Sequence, residues 1–277
     1  GMVDYFLLKQ VNVNARDKDG LTPLMIAVNE RRTDIVDTLL AAGADPAKQD
    51  KHGYTALMWG IHNKSWDSIG LLLATKKGLD LQNGFGQTAL HLALDYRICD
   101  IAAQLIRHNA PVNIKDDRGA TPLHLAAERG DTANARLLLD RGATTQAQDA
   151  EGETPLMKSI QSGYSQTALY LLSQPQDINV SNRQGQTALH LAAYHKMPDV
   201  ISSLVRKNAV LNRRDKQGVT PLMLAARYGL DQSVVLLTKN GAASHLKNAE
   251  GKTALDLARE ARQQKIVDYL ERKNKKQ

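Results

Sequence analysis

The chain holds 277 residues, with 36 Lys/Arg against 29 Asp/Glu and aromatics at only 4%. Cys99 is the single cysteine, which excludes an intrachain disulfide, and no apolar run reaches the ~18 residues that would mark a membrane span. Such a composition suits a core of Leu, Ala, Val and Ile on closely packed helices.

In chain order, Met2–Leu8 comes first and matches the second helix of the unit described next, with Val11–Asn14 as its finger. This predicts a half-repeat over 2–16, with Met2 as the native start; a cut from a longer array is the other reading. From Asp17 onward one phrase, Gly-x-Thr-(Pro or Ala)-Leu, recurs every 33 residues at Gly20, Gly53, Gly86, Gly119, Gly152, Gly185, Gly218 and Gly251. A fixed period of this length means stacked small units in place of one globular core. Repeats therefore open at residues 17, 50, 83, 116, 149, 182, 215 and 248.

Residues 116–148 show what one unit specifies. Asp116 and Gly119 predict a turn: the carboxylate bonds its own backbone and glycine accepts positive φ. Thr121-Pro122 predicts a helix start, with threonine as N-cap and proline at the first helical position. Leu123, Leu125, Ala126 and Ala127 form an apolar stripe that ends at Gly130. A second helix carries Ala133, Ala135, Leu137, Leu138 and Leu139 and stops at Gly142. Gly43, Asn109, Asn208 and Gly241 match Gly142, whereas Lys76 and Pro175 break the pattern and predict unusual helix ends in repeats two and five. At the last repeat, Asp256 and Glu271 replace core-type residues, as an outer face toward water requires.

The phrase Asp116-x-x-Gly-Ala-Thr-Pro-Leu-His-Leu-Ala-Ala127, followed by Leu-Leu-Leu-Asp-Arg-Gly-Ala143, closely resembles the ankyrin repeat, and the resemblance extends over residues 2–271. It implies an all-α solenoid with short β-hairpin fingers, built from eight 33-residue repeats plus an N-terminal half-repeat cap. The organisation expected is a single domain over 1–271 with a basic tail over 272–277. The resemblance also implies partner recognition on the concave side, formed by finger tips and first helices.

Few residues invite catalysis. His91, His124 and His190 recur at one repeat position and are expected to brace a turn of their own or the neighbouring repeat. Asn14, Asn113, Asn179 and Asn212 are expected to hold the finger. The other histidines lack metal-ligand spacing, and no phosphate-binding loop or nucleophile elbow is present. No enzyme activity, metal or cofactor is therefore expected. Lys158 is the outlier, because its counterparts Ile26, Trp59, Leu92, Leu125, Leu191, Leu224 and Leu257 are all apolar. It is expected to run its stem along the groove and keep its charge in water; a concave-face contact or a loose joint at repeat five is the alternative.

The positions that the framework leaves free carry the functional signal. Aromatic contact candidates are Tyr54, Phe85, Tyr96, Tyr194 and Tyr228. Residues 182–277 hold 18 Lys/Arg against 8 Asp/Glu, whereas residues 1–181 hold 18 against 21. Arg183, Arg213, Arg214, Lys216, Arg227 and Lys247 place that excess on variable positions of repeats six to eight. The expectation is a cytoplasmic, monomeric protein–protein interaction scaffold that takes an acidic protein or peptide segment. The alternatives are a targeting module of a larger protein, a bacterial effector exported to host cytosol, or nucleic-acid binding by the basic face, which the mildly acidic remainder disfavours.

Overall fold

A computed structural model describes residues 12–275. Met2–Leu8 and the end of the tail, Lys276 and Gln277, lie outside the described residues. Among the described residues sixteen helices alternate between two kinds at the sequence period. The first helices are α1 (Pro23–Asn29), α3 (Ala56–His62), α5 (Ala89–Asp95), α7 (Pro122–Glu128), α9 (Pro155–Gln161), α11 (Ala188–Tyr194), α13 (Pro221–Arg227) and α15 (Ala254–Glu260). The second helices are α2 (Thr33–Ala41), α4 (Trp66–Ala74), α6 (Cys99–Arg107), α8 (Thr132–Asp140), α10 (Ser165–Ser173), α12 (Pro198–Arg206), α14 (Asp231–Lys239) and α16 (Gln264–Asn274). Part of the expected tail, Arg272–Asn274, is thus helix: the Arg272 guanidinium bonds the Asp268 carbonyl and Lys273 reaches the Thr238 carbonyl.

The chain forms two compact units. One runs to Leu125 and includes Arg136–Ala143; the other comprises Ala126–Ala135 and residues from Thr144 onward. In the first, α1 packs on α2 and α3, and α3 packs on α4 and α5. In the second, the same pattern runs through α9, α11, α13 and α15, with α10, α12, α14 and α16 stacked alongside. Leu24, Leu57 and Leu90 are buried in the first unit, and Leu156, Leu189 and Leu222 in the second. Full burial of each such leucine contributes about 1.5–3 kcal/mol relative to exposure.

Local chemistry sets the short first helices. The N-cap threonine accepts the N–H of the third helical residue, as from Met25 to Thr22 at 3.3 Å. In several repeats, though not at Met58 or Met157, that third residue accepts the threonine N–H in return, by whatever acceptor it has. Imidazole Nδ1 serves in His91 and His190 (both 3.2 Å), thioether sulfur in Met25 (3.5 Å) and carboxylate in Asp256 (2.9 Å). A left-handed residue then closes the helix. Gly130, Gly163 and Gly229 fill this position in three repeats, but Arg31, Lys64, Arg97, Lys196 and Arg262 fill it in the others with φ of 54–58°.

Second-helix ends differ in repeats two and five, as expected. Lys76 adopts φ 55° like Asn109 and Asn208, but Lys77 N–H bonds Thr75 Oγ1 at 3.3 Å where Ala44, Ala110, Ala143, Ala209 and Ala242 bond a helix carbonyl, and Gly78 follows at φ 68°. In repeat five Gln174 is extended (φ −85°, ψ 152°), because proline disfavours helical backbone in the residue before it.

The fingers are turns with extended flanks. The only β-bridge among the described residues joins Ser181 and Thr187. In finger two, Asp50 N–H donates to the Tyr54 carbonyl (3.0 Å), and Asp50 Oδ1 accepts from His52 and Tyr54 N–H (both 2.8 Å). Gly53 sits at φ 77°, and a Cβ there would fall 2.9 Å from Asn83 Cα of the next finger.

Candidate partner-binding surface

Many side chains near the fingers belong to the repeat framework. Finger is tied to finger by the main chain: Lys51 N–H donates to Asp19 O, Gly84 to His52 O, Arg183 to Glu151 O, Lys216 to Gln184 O and Ala249 to Gln217 O, at 2.8–3.1 Å. Tip side chains are therefore not needed to hold the fingers together. Four residues before the finger glycine, a long donor clips the same structure from its side. Arg16 donates to Gly20 O and Gln49 O; Gln49 donates to Gly53 O and Gln82 O. Arg214 belongs to this set, donating to Gly218 O at 3.3 Å and Lys247 O at 2.7 Å.

The asparagines also bracket repeats. Asn14 Oδ1 accepts from Asp45 N–H, Asn179 from Val210 and Asn212 from Ala243, each at 2.8 Å, and Asn113 donates to Gly142 O at 2.9 Å. The histidines are buried in the same role. Thr88 N–H can only donate, so His91 Nδ1 accepts it and the ring proton stays on Nε2, which bonds Ala120 O at 3.2 Å. His190 repeats this with Val219 O at 3.1 Å. Burial lowers the pKa of both, against the carbonyl bonds and the neighbouring Asp116 and Asp215, which favour protonation.

Lys158 is a correction. Its ammonium is not left in water: it lies 2.8 Å from Asp149 Oδ2 and 2.7 Å from Glu153 Oε2, and both carboxylates are buried. Gln161 and Asn182 also donate to Glu153 Oε1. Burial alone would lower the lysine and raise Asp149, but the direct hydrogen bonds outweigh it: Lys158 is shifted up and Asp149 down. Trp59, at the equivalent position, donates its indole N–H to Asp50 at 3.0 Å.

What remains is the free surface. The side chains of Arg183, Arg213, Lys216, Arg227 and Lys247 are exposed and make no hydrogen bond or ion pair among the described residues. Lys252, next to them, is neutralised at 2.8 Å by both Glu250 and Glu260. In the same repeats, Tyr194 is 51% exposed and meets Tyr228 edge-on at 5.4 Å. Lys196 Nζ stands 5.7 Å from the Tyr228 ring centre. Burial and the Tyr194 neighbour push the Tyr228 hydroxyl pKa up.

In the other unit, Tyr54, Trp59, His62 and Tyr96 form a chain of ring contacts at 5.5–6.0 Å, and His62 Nδ1 lies 3.0 Å from the Tyr96 hydroxyl. Phe85 projects alone from its finger tip, 65% exposed. Sequence reasoning left Trp59 and Lys196 off the surface. An indole where other repeats carry aliphatics, and a cation next to Tyr194-His195, were the available signals.

A family model described as ankyrin repeats (3 copies) matches residues 1–82, 63–149, 90–182, 141–215 and 189–277. No curated protein matches the chain. Among the described residues no helix is long and apolar enough to cross a membrane.

Proposed function

The chain belongs to the ankyrin-repeat family, whose arrays are generally protein–protein interaction modules, and we propose that it is a non-enzymatic scaffold for an acidic partner segment. In this reading it works as a cytoplasmic monomer. The segment lies over the fingers and first helices of repeats six to eight. Arg183, Arg213, Lys216, Arg227 and Lys247 face its carboxylates, and Tyr194 and Tyr228 anchor its apolar side chains. Tyr54, Tyr96 and Phe85 serve as further anchors in the other unit.

One observation carries the reading: five exposed cations of repeats six to eight form no hydrogen bond or ion pair with the described residues, and the same repeats hold the Tyr194–Tyr228 ring pair, while Lys252 is bound by Glu250 and Glu260. The test is affinity capture with mass spectrometry, comparing the parent with the charge-reversed Arg183→Glu, Lys216→Glu variant. Partners lost from the variant should share acidic segments and bind the parent more weakly as salt rises. An unchanged partner set overturns the proposal. Strongly salt-dependent binding of generic duplex DNA transfers the basic face to nucleic acid instead.

A further inference from the structure

The chain contains two Asn-Gly steps, Asn83-Gly84 and Asn240-Gly241. Such a step carries its own chemistry. The backbone nitrogen after the asparagine can close an imide ring on the carboxamide carbon, and glycine puts no Cβ in the way. The structure treats the two steps differently.

Asn83 opens finger three and is buried. Its Oδ1 accepts from the N–H groups of Phe85 at 3.0 Å and Gln87 at 2.9 Å. The Gly84 nitrogen, which would be the nucleophile, donates its N–H to His52 O of the preceding finger at 2.8 Å. Carboxamide and nitrogen are thus both held by the framework. An aspartate would nevertheless suit this turn, since Asp17, Asp50, Asp116, Asp149 and Asp215 open other repeats. What protects Asn83 is the slowness of the reaction, and the product itself would fit.

Asn240 caps the C-terminal end of α14 and is exposed, as is Gly241. Its side chain donates from Nδ2 to Leu236 O at 2.8 Å, and nothing among the described residues holds its Oδ1. Gly241 N–H reaches Thr238 O only at 3.4 Å, at a helix end, where backbone opens most readily. A Cβ on Gly241 would meet nothing within 4 Å, so the peptide has room to turn.

We propose that Asn240 is a site of spontaneous deamidation in the folded protein and that finger packing spares Asn83. The Gly241 nitrogen gives its proton to solvent and attacks Asn240 Cγ. The new N–Cγ bond closes a succinimide, the carboxamide C–N bond breaks, and ammonia leaves. One water then opens the ring at either carbonyl and leaves aspartate or isoaspartate, with nothing oxidised or reduced. Either product puts a carboxylate at the negative end of the α14 dipole. Other repeats carry Ala, Thr, His, Arg, Gln or Lys at this position and never a carboxylate. The modification therefore works against the end of this helix, and it is independent of the acidic-segment reading.

The experiment incubates the full chain in heavy-oxygen water at mildly alkaline pH, folded and in urea, and maps its peptides by mass spectrometry. In urea both asparagines should convert at similar rates, each product carrying one labelled oxygen. In the folded chain Asn240 should still convert, and Asn83 should be slower by at least roughly tenfold, because its reaction waits for the finger to open. Asn240→Gln should abolish the fast conversion in the folded chain. If folded Asn83 converts as fast as Asn240, the protective role of the finger falls. If folded Asn240 converts no faster than asparagines outside Asn-Gly steps, the site itself falls.

Discussion

The Lys158 ammonium meets the Asp149 carboxylate at 2.8 Å, at the repeat position where the Trp59 indole meets Asp50 at 3.0 Å. Two unlike side chains thus serve one kind of acceptor, the turn carboxylate that opens these two repeats. Removing the donor should expose the cost of the acceptors. Lys158→Leu restores the apolar residue found in most repeats but strands two buried carboxylates. It should lower stability by about 1–3 kcal/mol in urea titrations. Adding Asp149→Asn and Glu153→Gln should return most of that loss, since Asn83, Asn182 and Asn248 already form the same turn. No recovery would mean that Lys158 contributes through its stem.

The same ion pair sets an acid limit. Asp149 has a folded pKa below its ordinary 3.8, because the Lys158 bond overcomes burial. Its contribution is therefore complete above about pH 4 and is lost as pH falls through the lower folded value.

His91 and His190 act at milder pH. Burial depresses both below the ordinary 6.5, so the unfolded chain takes up their protons first. Stability is full above that value and declines as pH falls from about 6.5 toward the lower folded values. His91→Met with His190→Met keeps a residue that other repeats use at this position. Melting temperature between pH 7.5 and 5.5 should fall less steeply in the double variant; parallel curves would refute the assignment.

Gly130 and Gly163 share a backbone conformation, φ 72° and 79°, but differ in surroundings. A Cβ at Gly130 would lie 2.4 Å from the Tyr164 ring, whereas at Gly163 it meets nothing within 4 Å. Gly163→Ala should cost about 1–2 kcal/mol for left-handed backbone alone. Gly130→Ala should cost more by roughly 1–3 kcal/mol, from a clash with a packed ring. Tyr164→Ala should narrow the gap between the two glycine variants, and equal costs in the parent background would dismiss the ring contact.

Arg213 and Arg214 are adjacent in sequence and different in use. Arg214→Ala should lower stability by about 0.5–1.5 kcal/mol through two lost carbonyl bonds, and Arg214→Gln should restore it, as Gln49 does at the same position. Arg213→Ala should leave melting unchanged and weaken acidic-peptide binding. Interchanged outcomes would reverse the two roles.

Architecture was legible because its causes are local. Thr22, Thr55 and Thr88 cap helices through bonds within a few residues, and Gly20 or Gly53 answers to its own φ and the next finger. Less legible were features whose partner is chosen by packing. Lys76 and Lys64 take left-handed backbone because the surrounding helices impose it, which residue type signals only as a preference. Lys158 was readable as an anomaly, but Asp149 and Glu153 could not be named as its partners. Arg214 looked like a surface cation because its acceptors are backbone carbonyls, which leave no mark in sequence. The clue was its alignment with Arg16, Gln49, Gln82 and Gln148, all long donors.

Main-chain bonds between successive fingers hold Glu151 beside Arg183 and Gln184 beside Lys216 without involving their side chains. Mutational drift at the tips is thereby uncoupled from folding. A lineage can exchange one partner for another by single substitutions there, passing through no unfolded intermediate genotype, while the rungs beneath keep the spacing constant.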